Sequence, residues 1–293
     1  MLQKIKTLAA GLVFTGIALP AMAQGNFDDV EIRTEHLRGG IYALFGAGGN
    51  IGVSAGEDGV FLIDDQFAPL TGKIRAAVAE ISDQPIRFLI NTHYHGDHTG
   101  GNENFGSAGT LIMAHDNVRV RLLNPSNGEP AAPAALPVVT YSDQASLHIN
   151  GDDARAVHIS RAHTDGDTII HFQDANVIHM GDIFFRDWYP FVDVNGGGNV
   201  DGVITAVNWA LEQSNDETII IPGHGPIATP NDLRRYRDML VDTRGRIAAL
   251  VEEGMSEDDV VAANPTADYD EEGWSWQFIN GERYTRSVYQ SLK

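Results

Sequence analysis

Six consecutive residues, His93-Tyr94-His95-Gly96-Asp97-His98, carry four groups able to bind a metal ion. His93 and His95 stand two apart, the spacing that points side chains the same way from extended backbone. Gly96 permits a sharp turn. Asp97 and His98 can then project toward a second position from the start of a helix. Neutral imidazoles suit a borderline-soft ion such as zinc, and a carboxylate offsets part of its charge. The chain contains no cysteine, so any zinc here is held by histidine and carboxylate rather than thiolate.

The elements around these residues read as alternating strands and helices. Three short apolar runs, Ile41–Phe45, Ile51–Ala55 and Val60–Ile63, are separated by glycine-rich turns and predict a meander. Ile74, Ala77, Val78 and Ile81 fall on one helical face. A buried-strand run, Ile86–Ile90, leads into His93, and another strand at Leu111–Ala114 precedes a helix near Asn117–Leu123. The stretch Asn124–Pro137 holds four of the twelve prolines and reads as a loop of unassigned role. The second half repeats the plan, with strands near Ser146–Asn150, Arg155–Ile159, Thr168–Phe172, Val177–Met180 and Thr218–Ile221. Helices are expected over Val200–Gln213, from Thr229-Pro230 to about Glu253, and after Ser256. Trp274, Trp276 and Phe278 are expected to pack the C-terminal segment onto the domain.

The His93–His98 segment resembles the His-x-His-x-Asp-His signature of the metallo-β-lactamase superfamily, placed after a buried strand. Three further segments resemble that family in its order: Ala162-His163-Thr164-Asp165-Gly166-Asp167, Met180-Gly181-Asp182 and Pro222-Gly223-His224-Gly225. Each follows a strand pattern, and together they cover residues 41 to 225. The resemblance implies an α/β fold, a four-layer αββα sandwich of two mixed sheets flanked by helices. It implies that His93, His95 and His163 hold one zinc, that Asp97, His98 and His224 hold a second, and that Asp182 bridges both. It further implies hydrolysis by a hydroxide shared between the two ions, with Asp97 positioning that hydroxide or protonating the leaving group. The bridging position is usually Cys or Ser in the lactamase branches, so Asp182 resembles the thioesterase, lactonase and general hydrolase branches more closely. Iron or manganese can occupy such a donor set as well as zinc.

The remaining histidines, His36, His115, His148, His158, His171 and His179, read as packed or surface residues. Asp64 follows a strand that should end near the site, either as a partner of a ligand histidine or as a turn former. Phe184 to Phe191 could line an apolar pocket, with Arg186 pairing with a substrate carboxylate and Trp188 beside it.

Bulk properties narrow the substrate. The 293 residues carry 40 acidic against 20 basic side chains, a net charge of −20, which disfavours nucleic acid as a partner. Lys4 and Lys6, the apolar stretch Leu8–Leu19, Pro20 and Ala21-Met22-Ala23 read as a secretory signal peptide over residues 1–23. Residues 24–293 then form a single catalytic domain, exported across the inner membrane to the periplasm and not inserted in it. The expected function is an exported dinuclear-zinc hydrolase acting on an ester, lactone or amide-type bond of a small molecule, with a β-lactam among the candidates. The alternative is an exported metal-binding protein of the same fold without turnover.

Overall fold

The computed structural model describes residues 27–293, and the signal peptide expected over residues 1–23 lies outside them. A first sheet holds seven strands: β1 (Arg33–Arg38), β2 (Ile41–Phe45), β3 (Ile51–Gly56), β4 (Gly59–Ile63), β5 (Ile86–Ile90), β6 (Leu111–His115) and β7 (Val139–Tyr141). Their spatial order is their sequence order. Pairing is antiparallel from β1 to β4 and parallel from β4 to β7. A second sheet holds β8 (Gln144–Ile149), β9 (Asp152–His158), β10 (Thr168–Phe172), β11 (Val177–His179) and β12 (Ile219–Ile221), in the order β12-β11-β10-β9-β8. Only β11 and β12 pair in parallel there.

Alternation along the strands decides the layers. Ile41, Ala43, Phe61, Ile63, Ile90 and Met113 of the first sheet share one core with Ala154, Ala156, Ile170, Phe172, Val177 and Ile221 of the second. The residues between them in sequence face outward. Leu44, Val53, Val60, Leu62 and Leu89 pack under Ile74 and Val78 of helix α1 (Thr71–Ile81) and Phe105. On the far side, Ile169, Ile178 and Ile220 pack under helices α5 (Val200–Gln213) and α6 (Pro230–Glu252). The result is helix, sheet, sheet, helix, the four-layer order the resemblance implied. β4 and β10 are buried along their whole length because both of their faces are covered.

Short helices α2 (Gly96–Thr99), α3 (Asn102–Ser107) and α4 (Asp116–Leu123) lie in the first half. Helices α7 (Glu257–Ala262), α8 (Ala267–Glu271) and α9 (Gly281–Ser291) close the second. The long helix α6 begins as its sequence suggests. Thr229 caps Asp232, Asp232 returns a hydrogen bond to the Thr229 backbone, and Pro230 takes the first position. The proline-rich loop carries a single helical turn at Pro133–Ala135, and Asn102 Nδ2 ties its end to α3 through the Ala135 carbonyl at 3.0 Å. β1, α3, β7, α8 and α9 are additions to the elements read from sequence. β1 is polar and largely exposed, so no apolar alternation marks it. Trp274 is buried as expected, whereas Trp276 and Phe278 are only half-buried.

Candidate metal centre

The two sheets meet at a rim where the C-terminal ends of β4, β5, β11 and β12 and the N-terminal end of β10 come together. The rim is stitched across the sheets. Thr168 N donates to the Thr92 carbonyl at 2.8 Å, and Asn50 N donates to the Gly223 carbonyl at 2.8 Å. Asn50 Nδ2 reaches the carbonyls of Pro222 and Gly225 at 2.9 and 2.8 Å. Every candidate ligand sits at this rim, Asp97 and His98 in the short helix α2, Asp182 in a helical turn and His93, His95, His163 and His224 in loops.

Three imidazoles converge first. His95 Nδ1 lies 3.1 Å from His93 Nε2 and 2.9 Å from His163 Nε2. Asp182 Oδ2 faces the same point, 3.8 Å from His93 Nε2 and 3.6 Å from His163 Nε2. A second group forms around the other oxygen of Asp182. Oδ1 lies 3.0 Å from His98 Nε2 and 3.3 Å from His224 Nε2, and Asp97 Oδ2 is 3.3 Å from His224 Nε2. Within each group the ligand atoms all lie within 4.8 Å of one another. The structure thus brings together all seven residues named from the sequence, in the two groups the resemblance implied, with one oxygen of Asp182 toward each.

The outward nitrogens indicate what the convergent ones need. His163 Nδ1 donates to the Phe191 carbonyl at 2.6 Å, and His95 Nε2 donates to Asp193 Oδ2 at 3.0 Å. Thr92 Oγ1 gives its proton to Asp64 Oδ2 at 2.7 Å, so at 3.0 Å it accepts from His93 Nδ1. Each ring spends its N–H outward, which leaves three lone pairs aimed at one point. His98 repeats this, with Nδ1 donating to Asp64 Oδ2 at 2.7 Å. Its Nε2 and Asp182 Oδ1 are both buried and lack an aligned hydrogen-bond partner. Converging acceptors at a buried site fit a cation, and this donor set of imidazole and carboxylate fits zinc.

Electrostatics divide the two groups. Burial pushes the pKa of His93 well below its usual value, helped by His98 and His163, and burial pushes His163 down to about 4. Both are neutral imidazoles, as ligands must be. Around the second group burial works against charge, but the carboxylates prevail. Asp182, Asp97 and Asp64 hold His98 well above the usual range, and Asp182 and Asp97 hold His224 at about 9. In return Asp182 is held well below the carboxylate range by His224 and His98, against its burial. Burial also opposes the charge of Asp97, yet His98 and His224 hold it at about 2. The least buried members are Asp97, His224 and His95, with side-chain exposures of 25, 16 and 13%. They mark the mouth of the site.

Asp64 takes the first of its two expected roles. Its carboxylate binds Thr92 N, Thr92 Oγ1 and His98 Nδ1, from a backbone with φ of +63°. Asp193 escaped the sequence reading. It orients His95, accepts from Tyr94 Oη at 2.5 Å and is anchored by Gly196 N at 2.8 Å. Its only signal was the glycine-rich run Gly196–Gly198 that follows. Gly49 was read only as a turn residue, but a Cβ there would run into the His98 ring.

The expectation of a substrate carboxylate at Arg186 meets a guanidinium that is already engaged. It bonds the Ile227 carbonyl and lies 3.3 Å from Asp232 Oδ1, and its backbone N donates to the His224 carbonyl at 3.0 Å. Arg186 therefore braces the turn that carries His224. Trp188 is half-buried and stacks on Trp276. Phe185 stacks on the His224 ring at 5.2 Å and Phe191 on His95 at 5.8 Å, so apolar rings flank both groups. Among the other histidines, His115 and His158 stack on each other at 3.6 Å, and His179 is buried between Asn50 O and Gly181 N.

Comparison with known proteins places the same residues in context. A family model described as the metallo-beta-lactamase superfamily matches residues 45–224. The chain is 24% identical over 158 residues to the 2,4-dinitroanisole O-demethylase subunit alpha of Nocardioides sp. (strain JS1661), covering 53% of this chain and 47% of that one. It is 26% identical over 172 residues to the hydroxyacylglutathione hydrolase of Polaromonas sp. (strain JS666 / ATCC BAA-500), covering 57% of this chain and 58% of that one. The matches thus span about half the length of these curated relatives. A solved metallo-beta-lactamase from Pontibacter korlensis superposes with a TM-score of 0.63 at 14% identity, over 72% of this chain and 100% of that one, which is a likeness of fold.

Proposed function

The chain belongs to the metallo-beta-lactamase superfamily, and from that premise we propose that it is an exported hydrolase that holds two zinc ions and cleaves an ester, lactone or amide-type bond in a small molecule. One observation carries the reading: two clusters of imidazoles and carboxylates share Asp182, one oxygen facing each. His93, His95 and His163 with Asp182 would hold one ion, and Asp97, His98 and His224 with Asp182 the other. Zinc held by these residues would supply Lewis acidity and lower the pKa of water there to about 7.

The chain's own residues supply orientation and proton handling. Asp64 and Asp193 fix the rings of His98 and His95 through one nitrogen each, so that the other nitrogen faces the site. Asp97 stands at the partly open mouth of the site, where its carboxylate is placed to position an attacking water. Phe185 and Phe191 line the walls beside His224 and His95 and limit water there, which strengthens charge interactions within. Esters and lactones fit Asp182 better than β-lactams do, on the family pattern described above. Export rests on the signal pattern of residues 1–23.

Elemental analysis of protein made without added metal, together with a panel of aryl esters, lactones, thioesters and nitrocefin-type β-lactams, tests the reading. The expected result is two ions per chain, zinc rather than iron or manganese, and faster turnover of esters or lactones than of β-lactams. Two bound ions with no turnover across the panel would instead mark a metal-binding protein without activity. Asp97→Asn should lower kcat at least about tenfold at full metal occupancy, and unchanged turnover removes its role. N-terminal sequencing of secreted protein should begin at Gln24.

A further inference from the structure

We propose that Trp276 and Trp188 form a platform beside His224 for an apolar, uncharged part of the substrate, so that the preferred substrates are neutral esters or lactones with an alkyl or aryl tail. The proposal rests on the hydrolase reading above and names its substrate class. The Trp276 ring lies 6.2 Å from the His224 ring and 5.6 Å from Phe185, which itself stacks on His224. Trp188 lies parallel to Trp276 at 5.4 Å, and Phe278 meets it edge-on at 5.2 Å.

This aromatic group is built rather than incidental. The Trp276 indole N–H donates to the Tyr189 carbonyl at 2.9 Å, and its backbone N donates to the Ile279 carbonyl at 2.9 Å. Its polar edge is therefore spent, and what remains is hydrocarbon. Two residues earlier, Trp274 is 2% exposed and fills the core with Tyr189 and Tyr236. Trp276 and Trp188 stay half-buried on the same side of the molecule as the partly open His224. Trp276 packs against the core on one side yet keeps part of its ring exposed, and a partly exposed apolar ring beside a reactive centre is what an apolar substrate group would cover. Arg186, the cation between Phe185 and Trp188 in sequence, is turned to the Ile227 carbonyl and to Asp232, which offsets its charge. Of the two rings, Trp188 lies within residues 45–224 and Trp276 beyond them.

The test uses the metal-loaded protein and a homologous series, p-nitrophenyl acetate, butyrate, hexanoate and octanoate. For the unaltered protein kcat/KM should rise about two- to fourfold per added methylene. In Trp276→Ala the rise should flatten, so the loss is greatest for the octanoate, while Trp276→Phe keeps part of it. Metal content is measured in each variant. A loss by one common factor across the series would mean that Trp276 only positions His224, and it would overturn the proposal, as would a flat series in the unaltered protein. Should Trp276→Ala fail to fold, Trp188→Ala carries the same comparison. If no ester, lactone, thioester or β-lactam is hydrolysed, the hydrolase reading fails by itself, and the platform is decided by binding of the neutral probe N-phenyl-1-naphthylamine. Binding weakened at least about tenfold in the tryptophan variant supports the platform, and equal binding overturns it.

Discussion

At His95 the outward nitrogen matters as much as the inward one. Nδ1 can serve as a ligand because Asp193 takes the proton on Nε2 and fixes the ring. Asp193 is held in turn by Tyr94 and Gly196, and its carboxyl stays well below the usual range because these partners and His95 outweigh its burial. Asp193→Asn should therefore weaken metal binding about 10- to 100-fold, read by competition with a coloured chelator, with secondary structure unchanged. Tyr94→Phe removes one neutral donor from the same oxygen and should cost less, about tenfold at most. An equal effect of the two would mean that packing, rather than the charge of Asp193, sets the ring.

At the scale of elements, the centre depends on where strands stop. β11 and β12 run in parallel and end together, and the turns beyond them are pinned by Gly223 N, which donates to the carbonyls of Gly181 at 2.8 Å and Phe184 at 3.0 Å. No side chain fits at that crossing, because a Cβ on Gly223 would run into Asp182 Oδ1 and the Gly181 backbone. Gly223→Ala should push Asp182 out of its shared position. After dialysis, elemental analysis should then find fewer than two ions per chain, while far-UV circular dichroism still shows the folded α/β pattern. Two retained ions would place the shared role elsewhere than Asp182. The elements themselves were largely legible where apolar residues ran together between glycine-rich turns, as in β2 to β4, or recurred at helical spacing, as in α1. β1 and α9 were not. β1 is a polar edge strand, and α9 is held by few large apolar groups, chiefly Tyr284 and Val288.

At the scale of the molecule, the centre joins two halves that no disulfide links, since the chain has no cysteine. His93, His95, Asp97 and His98 hang from the first sheet, and His163, Asp182 and His224 from the second. Ions bound across that rim favour the folded state by mass action, and their removal leaves the lone pairs of His93, His95 and His163 converging without a partner. Chelation should lower Tm by roughly 5–15 °C, and added zinc should restore it, as followed by scanning calorimetry. A Tm indifferent to chelator would mean that the sheet cores alone hold the halves together. Among the described residues no helix is long and apolar enough to cross a membrane.

The sequence by itself offered four potential ligands within six residues and an order of strands and helices, both of which are local. The four-layer plan and full ligand set were what the family resemblance implied. Only the tertiary structure decided what lies beside those ligands. Asp193 reaches His95 across 98 residues, and Asp232 takes the guanidinium of Arg186 from 46 residues away. A lone Asp or Arg in a sequence carries no mark of such a partner, because the contact exists only once the two sheets have packed. Trp274 and Trp276 show the same limit within three residues. Both read as packing side chains, and the fold buried one in the core and left the other facing His224's side of the rim.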